Sequence, residues 1–204
     1  MSTNRLESFS DGVFAVAITL LVLGIEVPPA HGDHSLGHEL AANWPQYIAY
    51  AVSFLTIGII WINHHVMIAR LRAADHAILM FNLLLLMTVG VLPFATDLIA
   101  KHLHDAEGRS VAAAVYAGSF LLMGLAFGAL NRLILMRRTE MLTVQIPLAE
   151  RRQILLRAAG GSMPYAIALG LAFVSPYATL AICAAVAVFY ALPIASAPEI
   201  GAAG

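Results

Sequence analysis

The amino-acid sequence predicts an all-α polytopic membrane protein with six transmembrane helices per chain. Of its 204 residues, 60% are hydrophobic and only 11% are Asp, Glu, Lys or Arg, and the mean hydropathy is +0.83. A soluble domain ordinarily carries about 25% charged residues, so too few charged side chains are present to cover the surface of a globule. Five stretches, each of 14 residues or more, contain no charged residue, and a helix needs about 20 mostly apolar residues to cross a bilayer.

The six helices are expected near residues 6–27, 44–70, 76–99, 109–136, 149–173 and 176–197. The first charge-free stretch, residues 12–25, is short and reaches a spanning length only when its polar ends are included. The last stretch, residues 158–198, is long enough for two crossings, and Ser175-Pro176 marks the turn because proline is well tolerated in the first turn of a helix. The connections are short, so residues 1–204 are expected to form a single six-helix transmembrane domain.

The positively charged residues indicate which way the helices point. If the N-terminus is cytoplasmic, nine arginines fall in cytoplasmic segments and only Lys101 and Arg109 fall outside. Cytoplasmic loops are enriched in Lys and Arg, so both termini are expected in the cytoplasm. The nine are Arg5, Arg70, Arg72, Arg132, Arg137, Arg138, Arg151, Arg152 and Arg157. A cleaved signal peptide is the alternative for the first helix, but Glu7 and Asp11 outweigh Arg5, whereas a signal peptide begins with a net positive charge.

Composition and motifs exclude several classes of function. The 11 basic residues are balanced by 12 acidic ones, so the chain offers no positive field for nucleic acid. Its one cysteine, Cys183, cannot form a disulfide framework or a CxxC metal site. The signature sequences of zinc proteases, serine hydrolases and P-loop enzymes are missing. The sequence therefore predicts no enzyme activity, no bound cofactor and no resident metal.

Polar residues of the first three helices are expected at one depth near the cytoplasmic surface. Counting from the cytoplasmic end of each helix places five polar side chains at nearly the same level. They are Ser10, Asp11, His64, His65 and Asn82. Charged residues inside a membrane normally face the protein interior, and lipid cannot satisfy their hydrogen bonds, so we expect a buried hydrogen-bonded network. The alternative is that the two histidines line the lipid headgroup region.

A stripe of residues runs along one face of the first helix. It comprises Gly12, Val16, Thr19, Leu23 and Glu26, with Leu20 at its border. At 100° per residue these positions fall within about 80° of one another. The stripe is apolar except for a hydroxyl at its middle and a carboxylate at its outer end, and two interpretations remain open. It is either a helix-packing face or the wall of a cation path, in which copies of Glu26 around a symmetry axis would form an acidic ring.

Three weaker patterns have simpler interpretations. Residues 88–91, Thr-Val-Gly-Val, imitate a potassium-filter sequence but lie inside a continuous apolar helix, whereas a filter needs a loop that presents its carbonyl groups. A loop containing Gly and Pro carries five potential metal ligands, and we interpret it as a solvated loop rather than a metal site. These residues are His31, Asp33, His34, His38 and Glu39. Gly124-x-x-x-Gly128 allows two helices of the chain to approach closely.

The start of the first helix carries the most specific pattern, Arg5-x-x-x-Phe9-Ser10-Asp11. It resembles the RxxxFSD motif of the transmembrane protein 175 family, the lysosomal potassium channels of animals and their bacterial relatives. The resemblance extends to further positions in the first three helices, and the six-helix layout covers essentially the whole chain. These further positions are Thr19, Trp61, His64, His65 and Asn82.

The resemblance implies an assembly and an activity. Bacterial members of that family have one six-helix repeat and form homotetramers in the plasma membrane, and the first helix of each subunit lines a central potassium-selective pore without a TVGYG filter. It also implies a constriction of apolar side chains at Val16, Leu20 and Leu23, beside the Thr19 hydroxyl. Val16 is smaller than the Ile or Leu usual there, so the narrowest point is either Val16 or Leu23. The side chains implied to hold the first helix in place are the RxxxFSD residues together with Trp61, His64, His65 and Asn82.

The sequence therefore predicts a potassium-selective, leak-type cation channel with a hydrophobic constriction, surrounded by membrane lipid, with potassium as its permeant ion. A secondary transporter of cations or protons is the alternative. It would need broken helices and internal repeats, and the one interruption lies at residues 160–164. The third hypothesis is a membrane enzyme that uses Asp11 and His64 as acid and base. Nothing in the sequence indicates how a substrate would reach these two residues.

Overall fold

The computed structural model describes residues 3–28 and 35–192, and the regular structure within these ranges is helical apart from one isolated bridge between Leu71 and Leu142. The helices are α1 (Thr3–Leu20), α2 (Leu36–Ala42), α3 (Trp44–Ala69), α4 (His76–His102), α5 (Arg109–Arg132), α6 (Leu148–Leu171) and α7 (Pro176–Ala191). Three short turns of other helix types extend or connect them. They are the 3-10 turns Leu21–Gly24 and Thr139–Met141 and the π-helical turn Leu133–Arg137. The predicted all-α class is confirmed.

Within the part of the chain that the structure describes, five helical segments are long and apolar enough to cross a membrane, so the chain is a multi-pass membrane protein. They are Thr3–Gly24, Trp44–Ala69, His76–His102, Arg109–Arg137 and Leu148–Leu171. The sixth predicted helix corresponds to α7, which has 16 residues and is shorter than these segments. Residues 193–197, into which the sequence extends that helix, lie outside the described residues. The six predicted segments thus correspond to α1 and to α3–α7.

Side-chain oxygens mark the starts of two helices. Helix α2 was not predicted from the sequence, and it begins where Ser35 Oγ accepts a hydrogen bond from the backbone N–H of His38 at 3.4 Å. Helix α7 begins at the turn that the sequence indicates, where Ser175 Oγ accepts from the N–H of Ala178 at 3.3 Å and Pro176 occupies the first turn. Such oxygens satisfy N–H groups that the first turn of a helix leaves unpaired.

Helices α4 and α6 run without a break through the two segments with unusual sequences. Residues 88–91 are helical within α4. Helix α6 is continuous through Gly160, Gly161 and Pro164, so the interruption expected there is wrong. Gly161 instead allows α6 to pack closely against α7, because a Cβ at this position would lie 3.2 Å from the Tyr190 hydroxyl oxygen.

The glycine pair of α5 has one member in a close helix contact. A Cβ at Gly124 would lie 2.7 Å from Ser162 Oγ of α6, whereas a Cβ at Gly128 would point into open space. The absence of a side chain at Gly124 therefore lets α5 and α6 approach each other, as the pattern predicts.

The centre of the bundle lies where α4 and α5 pack together, with α3, α6 and α7 around them and α1 packed against α3 and α4. Tyr116 and Phe120 of α5 fill this centre in an edge-to-face contact with ring centroids 4.7 Å apart. Ser53 of α3 lies 2.8 Å from Thr96 Oγ1 and 3.1 Å from the Tyr116 hydroxyl oxygen. Helix α1 is thus held from one side, by its contacts with α3 and α4.

The turn between α3 and α4 is hydrogen-bonded to the linker between α5 and α6. The backbone N–H of Arg72 donates to the carbonyl oxygen of Met141 at 2.9 Å, and the N–H of Thr143 donates to that of Arg70 at 2.8 Å. The two connections therefore form one unit at the end of the bundle that is predicted to be cytoplasmic.

Asp75 in this turn has two partners. Its Oδ1 caps α4 by accepting a hydrogen bond from the backbone N–H of Ile78 at 2.9 Å, and its Oδ2 accepts one from Arg138 Nε of the linker. The hydrogen bond from Ile78, and then the Arg138 guanidinium, hold the pKa of Asp75 below its usual value. The carboxylate therefore stabilises both the start of α4 and the contact between the two connections.

Candidate functional site

Helix α1 and its 3-10 extension present two different faces. The face toward α3 and α4 is buried and comprises Leu6, Ser10, Phe14, Ala17 and Leu21. The uncovered face comprises Arg5, Phe9, Gly12, Val16, Thr19, Leu20 and Leu23, and Glu26 continues it beyond the turn. The contrast is largest at the outer end, where the Leu21 side chain is 2% exposed and the Leu23 side chain is 75% exposed. The structure thus places the predicted stripe on the uncovered face.

A groove of about 510 Å³ runs along this face between α1 and α4. Its mostly apolar walls include Phe9, Gly12, Val16 and Leu20 of α1, and Gly90 of α4. Beyond the neighbouring residues and backbone of its own helix, no described atom lies within 4 Å of the position that a Cβ would take at Gly12 or at Gly90. The two glycines therefore leave room for side chains that come from outside this chain.

The outer end of α1 changes to 3-10 geometry over Leu21–Gly24. In a 3-10 helix, residues three apart stand above one another, so Leu20 and Leu23 share a line on the uncovered face. The backbone is extended at Ile25 and then reaches Glu26. Leu23 is therefore the outermost apolar side chain of the stripe, followed directly by a carboxylate.

Thr19 lies on the uncovered face between Val16 and Leu20. Its hydroxyl donates a hydrogen bond to the carbonyl oxygen of Val16 at 2.9 Å. A hydroxyl has one hydrogen and two lone pairs, so the hydrogen is used within the helix and oxygen lone pairs remain on the exposed side. Oxygen lone pairs are the groups that replace the hydration shell of a cation.

Three of the five predicted polar side chains form a buried chain of hydrogen bonds, and none of the three has exposed surface. His64 Nε2 of α3 lies 2.7 Å from Asn82 Oδ1 of α4, and Asn82 Nδ2 donates to Ser10 Oγ of α1 at 3.0 Å. An amide oxygen can only accept, so His64 donates from Nε2. Ser10 in turn donates to the carbonyl oxygen of Leu6 at 2.8 Å. All the bonds therefore run in one direction, from α3 through α4 to α1.

Asp11 and His65 lie outside this chain of hydrogen bonds, so the expectation of one five-membered network is wrong. Asp11 Oδ1 accepts a hydrogen bond from Trp61 Nε1 at 2.8 Å, and His65 Nδ1 lies 2.7 Å from Glu7 Oε1. Depth along the helices could be predicted, but successive residues of a helix point about 100° apart. Ser10 and His64 occupy the buried faces of their helices. Asp11 and His65, the residues that follow them, therefore point away from those faces.

The other RxxxFSD residues remain on the surface. Phe9 is 54% exposed, and Arg5 is exposed with no ion pair to any described residue. Of the motif, Ser10 is therefore buried, Asp11 joins α1 to α3 through Trp61, and the first two residues stay uncovered.

Glu26 has partners that the sequence does not indicate. Lys101 Nζ lies 3.1 Å from Glu26 Oε1 and 3.1 Å from Asp97 Oδ2. The backbone N–H of Glu26 donates to Gln46 Oε1 of α3 at 2.9 Å. Asp97 and Lys101 are four residues apart on α4, which is a recognisable ion-pair spacing. Their approach to Glu26 depends on how α1 packs against α4, which the spacing does not reveal.

Within the described ranges, no group of three or more His, Cys, Asp or Glu side chains is arranged to hold a metal ion. His38 and Glu39 of the histidine-containing loop lie in α2. His31, Asp33 and His34 lie outside the described residues.

Residues 5–93 match the profile of a family described as endosomal/lysosomal potassium channel TMEM175. The chain is 44% identical to a potassium channel of Streptomyces collinus over 188 residues. This match covers 92% of this chain and 91% of that protein. The chain belongs to the TMEM175 family. Because TMEM175 proteins are ion channels, the prediction that the chain is not an enzyme is confirmed.

The TMEM175 fold extends over nearly the whole chain. A lysosomal potassium-selective channel TMEM175 homolog from Chamaesiphon minutus, known from a crystal structure, matches with a TM-score of 0.80 and 37% identity. The match covers 93% of this chain and 96% of that one. The endosomal/lysosomal proton channel TMEM175 of Mus musculus is 39% identical over 116 residues, which are 52% of this chain and 23% of the mouse protein.

Proposed function

We propose that four copies of this chain assemble around a central axis into a potassium-selective, leak-type channel lined by α1. One observation carries the proposal: the face of α1 with Val16, Leu20 and Leu23 is uncovered, although its opposite face is buried against α3 and α4. Further support comes from relatives named as potassium channels, which match 92% and 93% of the chain.

The narrow part of this pore is a hydrophobic constriction made by four copies of Val16, Leu20 or Leu23. A potassium ion loses much of its water there, and an apolar ring can close the path by dewetting. Four copies of Thr19 lie beside the ring, each with oxygen lone pairs that its own hydrogen bond leaves available. These oxygens replace part of the lost hydration, so the channel needs neither a TVGYG filter nor a cofactor.

The buried chain of hydrogen bonds fixes the rotation of α1 about its own axis. Turning α1 by one residue would carry Ser10 away from Asn82 and replace Leu23 on the uncovered face. Leaving a buried polar group unpaired costs about 1–3 kcal/mol, so this rotation is disfavoured. The bonds from Trp61 to Asp11 and between His65 and Glu7 add two further links between α3 and α1.

The channel lies in a bacterial plasma membrane with both termini in the cytoplasm. The excess of arginine on one side supports this orientation. The relatives that match more than nine-tenths of the chain come from Streptomyces and Chamaesiphon, which are bacteria.

The proposal is tested with the purified full chain in liposomes, with potassium and sodium gradients imposed separately. We expect tetramers in mild detergent and a potassium flux that follows voltage without saturating, together with a smaller sodium flux. Protein-free liposomes are the control. Monomers alone after crosslinking, or liposomes that stay impermeable to potassium at every voltage, would overturn the proposal. A saturating flux coupled to a second ion would identify a secondary transporter instead.

Proton conduction is the second candidate function, because the mouse relative is named a proton channel. Liposomes loaded with a pH-sensitive dye, in solutions without potassium or sodium, measure it directly. We expect proton flux to be smaller than potassium flux at neutral pH. A proton flux that exceeds the potassium flux under equal driving force would reassign the chain to proton transport.

A further inference from the structure

A cluster of charged residues lies at the outer end of α1, and neither the constriction nor the buried chain of hydrogen bonds uses it. It consists of Glu26, Asp97 and Lys101, and we call it the outer charge cluster. One ammonium group is shared by two carboxylates, since Lys101 Nζ lies 3.1 Å from an oxygen of each. These two oxygens are separated by no more than twice that distance. The cluster therefore has one net negative charge per chain.

The packing of α1 against α4 makes Asp97 dependent on this lysine. A Cβ at Gly24 would lie 3.3 Å from Asp97 Oδ1, so the absence of a side chain at Gly24 lets the end of α1 approach the carboxylate closely. That oxygen is buried, and no hydrogen-bond donor from the described parts of the chain reaches it. The Lys101 ammonium is thus the group that compensates the Asp97 charge.

The outer charge cluster borders the uncovered face just beyond the constriction. The Leu23 and Val27 side chains on either side of Glu26 are 75% and 90% exposed. The Lys101 and Glu26 side chains are 43% and 59% exposed, so both reach solvent. In a tetramer lined by α1, four such clusters would surround the outer opening of the pore.

We propose that Lys101 determines which cations reach the outer end of the pore. Its ammonium group is a resident monovalent cation that neutralises one carboxylate and prevents a divalent cation from binding between the two. Carboxylate oxygens are the ligands that Mg²⁺ and Ca²⁺ prefer, whereas the remaining net negative charge still concentrates potassium at the opening. This inference rests on the proposed function, because it requires that α1 lines the pore.

Three variants separate the charge of Lys101 from its other properties. Lys101→Met removes the charge and keeps the aliphatic stem, and Lys101→Arg keeps the charge. Arg109→Met is the matched control, since Arg109 is an exposed cation on the same predicted side and has no ion pair to a described residue. Each full-length tetramer is measured in planar bilayers with Mg²⁺ added to one side at a time.

We expect external Mg²⁺ to half-block Lys101→Met at about a tenfold lower concentration than the parent channel. Without divalent cations, the variant should pass a larger inward potassium current in dilute salt. That difference should vanish near 1 M KCl, where charges are screened beyond about 3 Å. Lys101→Arg and Arg109→Met should match the parent channel, and Mg²⁺ on the cytoplasmic side should affect all of them equally.

A double variant restores the net charge without the lysine. Glu26→Gln with Lys101→Met again leaves one negative charge per chain, so its Mg²⁺ sensitivity should return to the parent value. If Lys101→Met alone yields no tetramer, Glu26→Gln provides the test, because it removes the net charge and should reduce inward current in dilute salt. Parent-like behaviour of both single variants, or an equal change in Arg109→Met, would overturn the role of Lys101. A parent channel that passes no potassium would instead overturn the proposed function.

Discussion

Asn82 is the residue through which two helices determine the position of a third. Its amide oxygen accepts the hydrogen bond from His64 of α3, and its amide nitrogen donates to Ser10 of α1. An amide offers an acceptor and a donor on one planar group. An aspartate would have no hydrogen for Ser10, and a leucine would leave His64 Nε2 without its acceptor and Ser10 Oγ without its donor.

Replacing Asn82 by Leu should therefore destabilise the protein by about 1–3 kcal/mol for each buried polar group that loses its partner. The melting temperature of the tetramer, followed by tryptophan fluorescence, measures this loss. Asn63→Leu is the matched control, because Asn63 is exposed and its side-chain amide donates to the carbonyl oxygen of Ile59 in its own helix. Equal melting temperatures for the two variants would show that the buried hydrogen bonds do not hold α1.

Leu21 and Leu23 should respond to alanine substitution in opposite ways. Leu21 is buried, so Leu21→Ala should cost about 2–5 kcal/mol of stability and leave the flux per tetramer unchanged. In the proposed channel Leu23→Ala would widen the constriction, so we expect about tenfold more potassium flux, equivalent to a barrier lower by about 1.4 kcal/mol, and weaker discrimination against sodium. Liposome flux and melting curves of both variants provide the measurement. Similar flux changes in both would mean that the ion path lies elsewhere.

The depth of single residues could be predicted from the sequence, whereas their partners could not. Counting along three helices predicts that Ser10, His64 and Asn82 lie at one level, and the three are hydrogen-bonded to one another. Counting predicts the same level for Asp11, which instead bonds to Trp61. Counting gives the height of a residue in the membrane, but the face it occupies depends on the rotation of each packed helix.

At the scale of elements, hydropathy locates the spanning helices and does not reveal their local geometry. The predicted span 109–136 corresponds to α5 and the π-helical turn Leu133–Arg137, and the predicted span 6–27 to α1 and the 3-10 turn Leu21–Gly24. Leu21–Gly24 contains no polar side chain and Leu133–Arg137 contains one, Arg137, so no change in composition marks where either turn begins. Hydropathy does not locate α2 either, because this helix lies in a polar connection between two spanning helices.

Asp75 offers a test of the contact between the α3–α4 turn and the α5–α6 linker. Asp75→Ala should cost about 1 kcal/mol from the lost helix cap, and the exposed part of the ion pair with Arg138 adds little. Asp75→Asn keeps an oxygen for Ile78 and removes only the charge, so it should lie between the parent and Asp75→Ala. Melting temperatures at neutral pH give this order.

The same carboxylate makes part of the stability depend on pH. The pKa of folded Asp75 lies below its ordinary value of 3.8, so its stabilisation is fully present above pH 3.8 and is lost as the pH falls through the folded pKa. The difference in melting temperature between the parent and Asp75→Asn should therefore shrink in acid. A difference that grew as the pH fell would show that the charged form does not stabilise the fold.

At the scale of the whole molecule, one face of α1 is uncovered in a single chain. Helix α1 is buried on one side only, and the groove between α1 and α4 has open space at Gly12 and Gly90. In a membrane protein, an apolar face of this kind packs either against a second copy of the chain or against lipid. The sequence indicated the stripe but not the groove, because the groove depends on where α4 stands beside α1.

Gly90→Leu should distinguish a subunit interface from a surface covered by lipid. The open space at Gly90 lets a single chain accept the larger side chain, and leucine is a strong helix former, whereas glycine is about 0.8–1.0 kcal/mol less favourable than alanine. We expect a folded protein that no longer forms tetramers, as measured by particle mass in mild detergent. Gly170→Leu on α6 is the control, since it also meets open space but lies away from the groove. Intact tetramers of Gly90→Leu would mean that this groove is not an interface.

The 3-10 turn at the outer end of α1 also changes how far that helix reaches. Residues in 3-10 geometry rise about 2.0 Å each instead of about 1.5 Å, so the four residues of Leu21–Gly24 add about 2 Å. The charge-free stretch of this helix, residues 12–25, is the shortest of the five, and the extension carries Leu23 outward without additional residues. Natural bilayers differ in hydrocarbon thickness by a few ångströms, which is comparable to this gain. In the proposed channel, the acyl-chain length of the surrounding lipid would therefore affect the position of Leu23, the outermost apolar residue of the stripe.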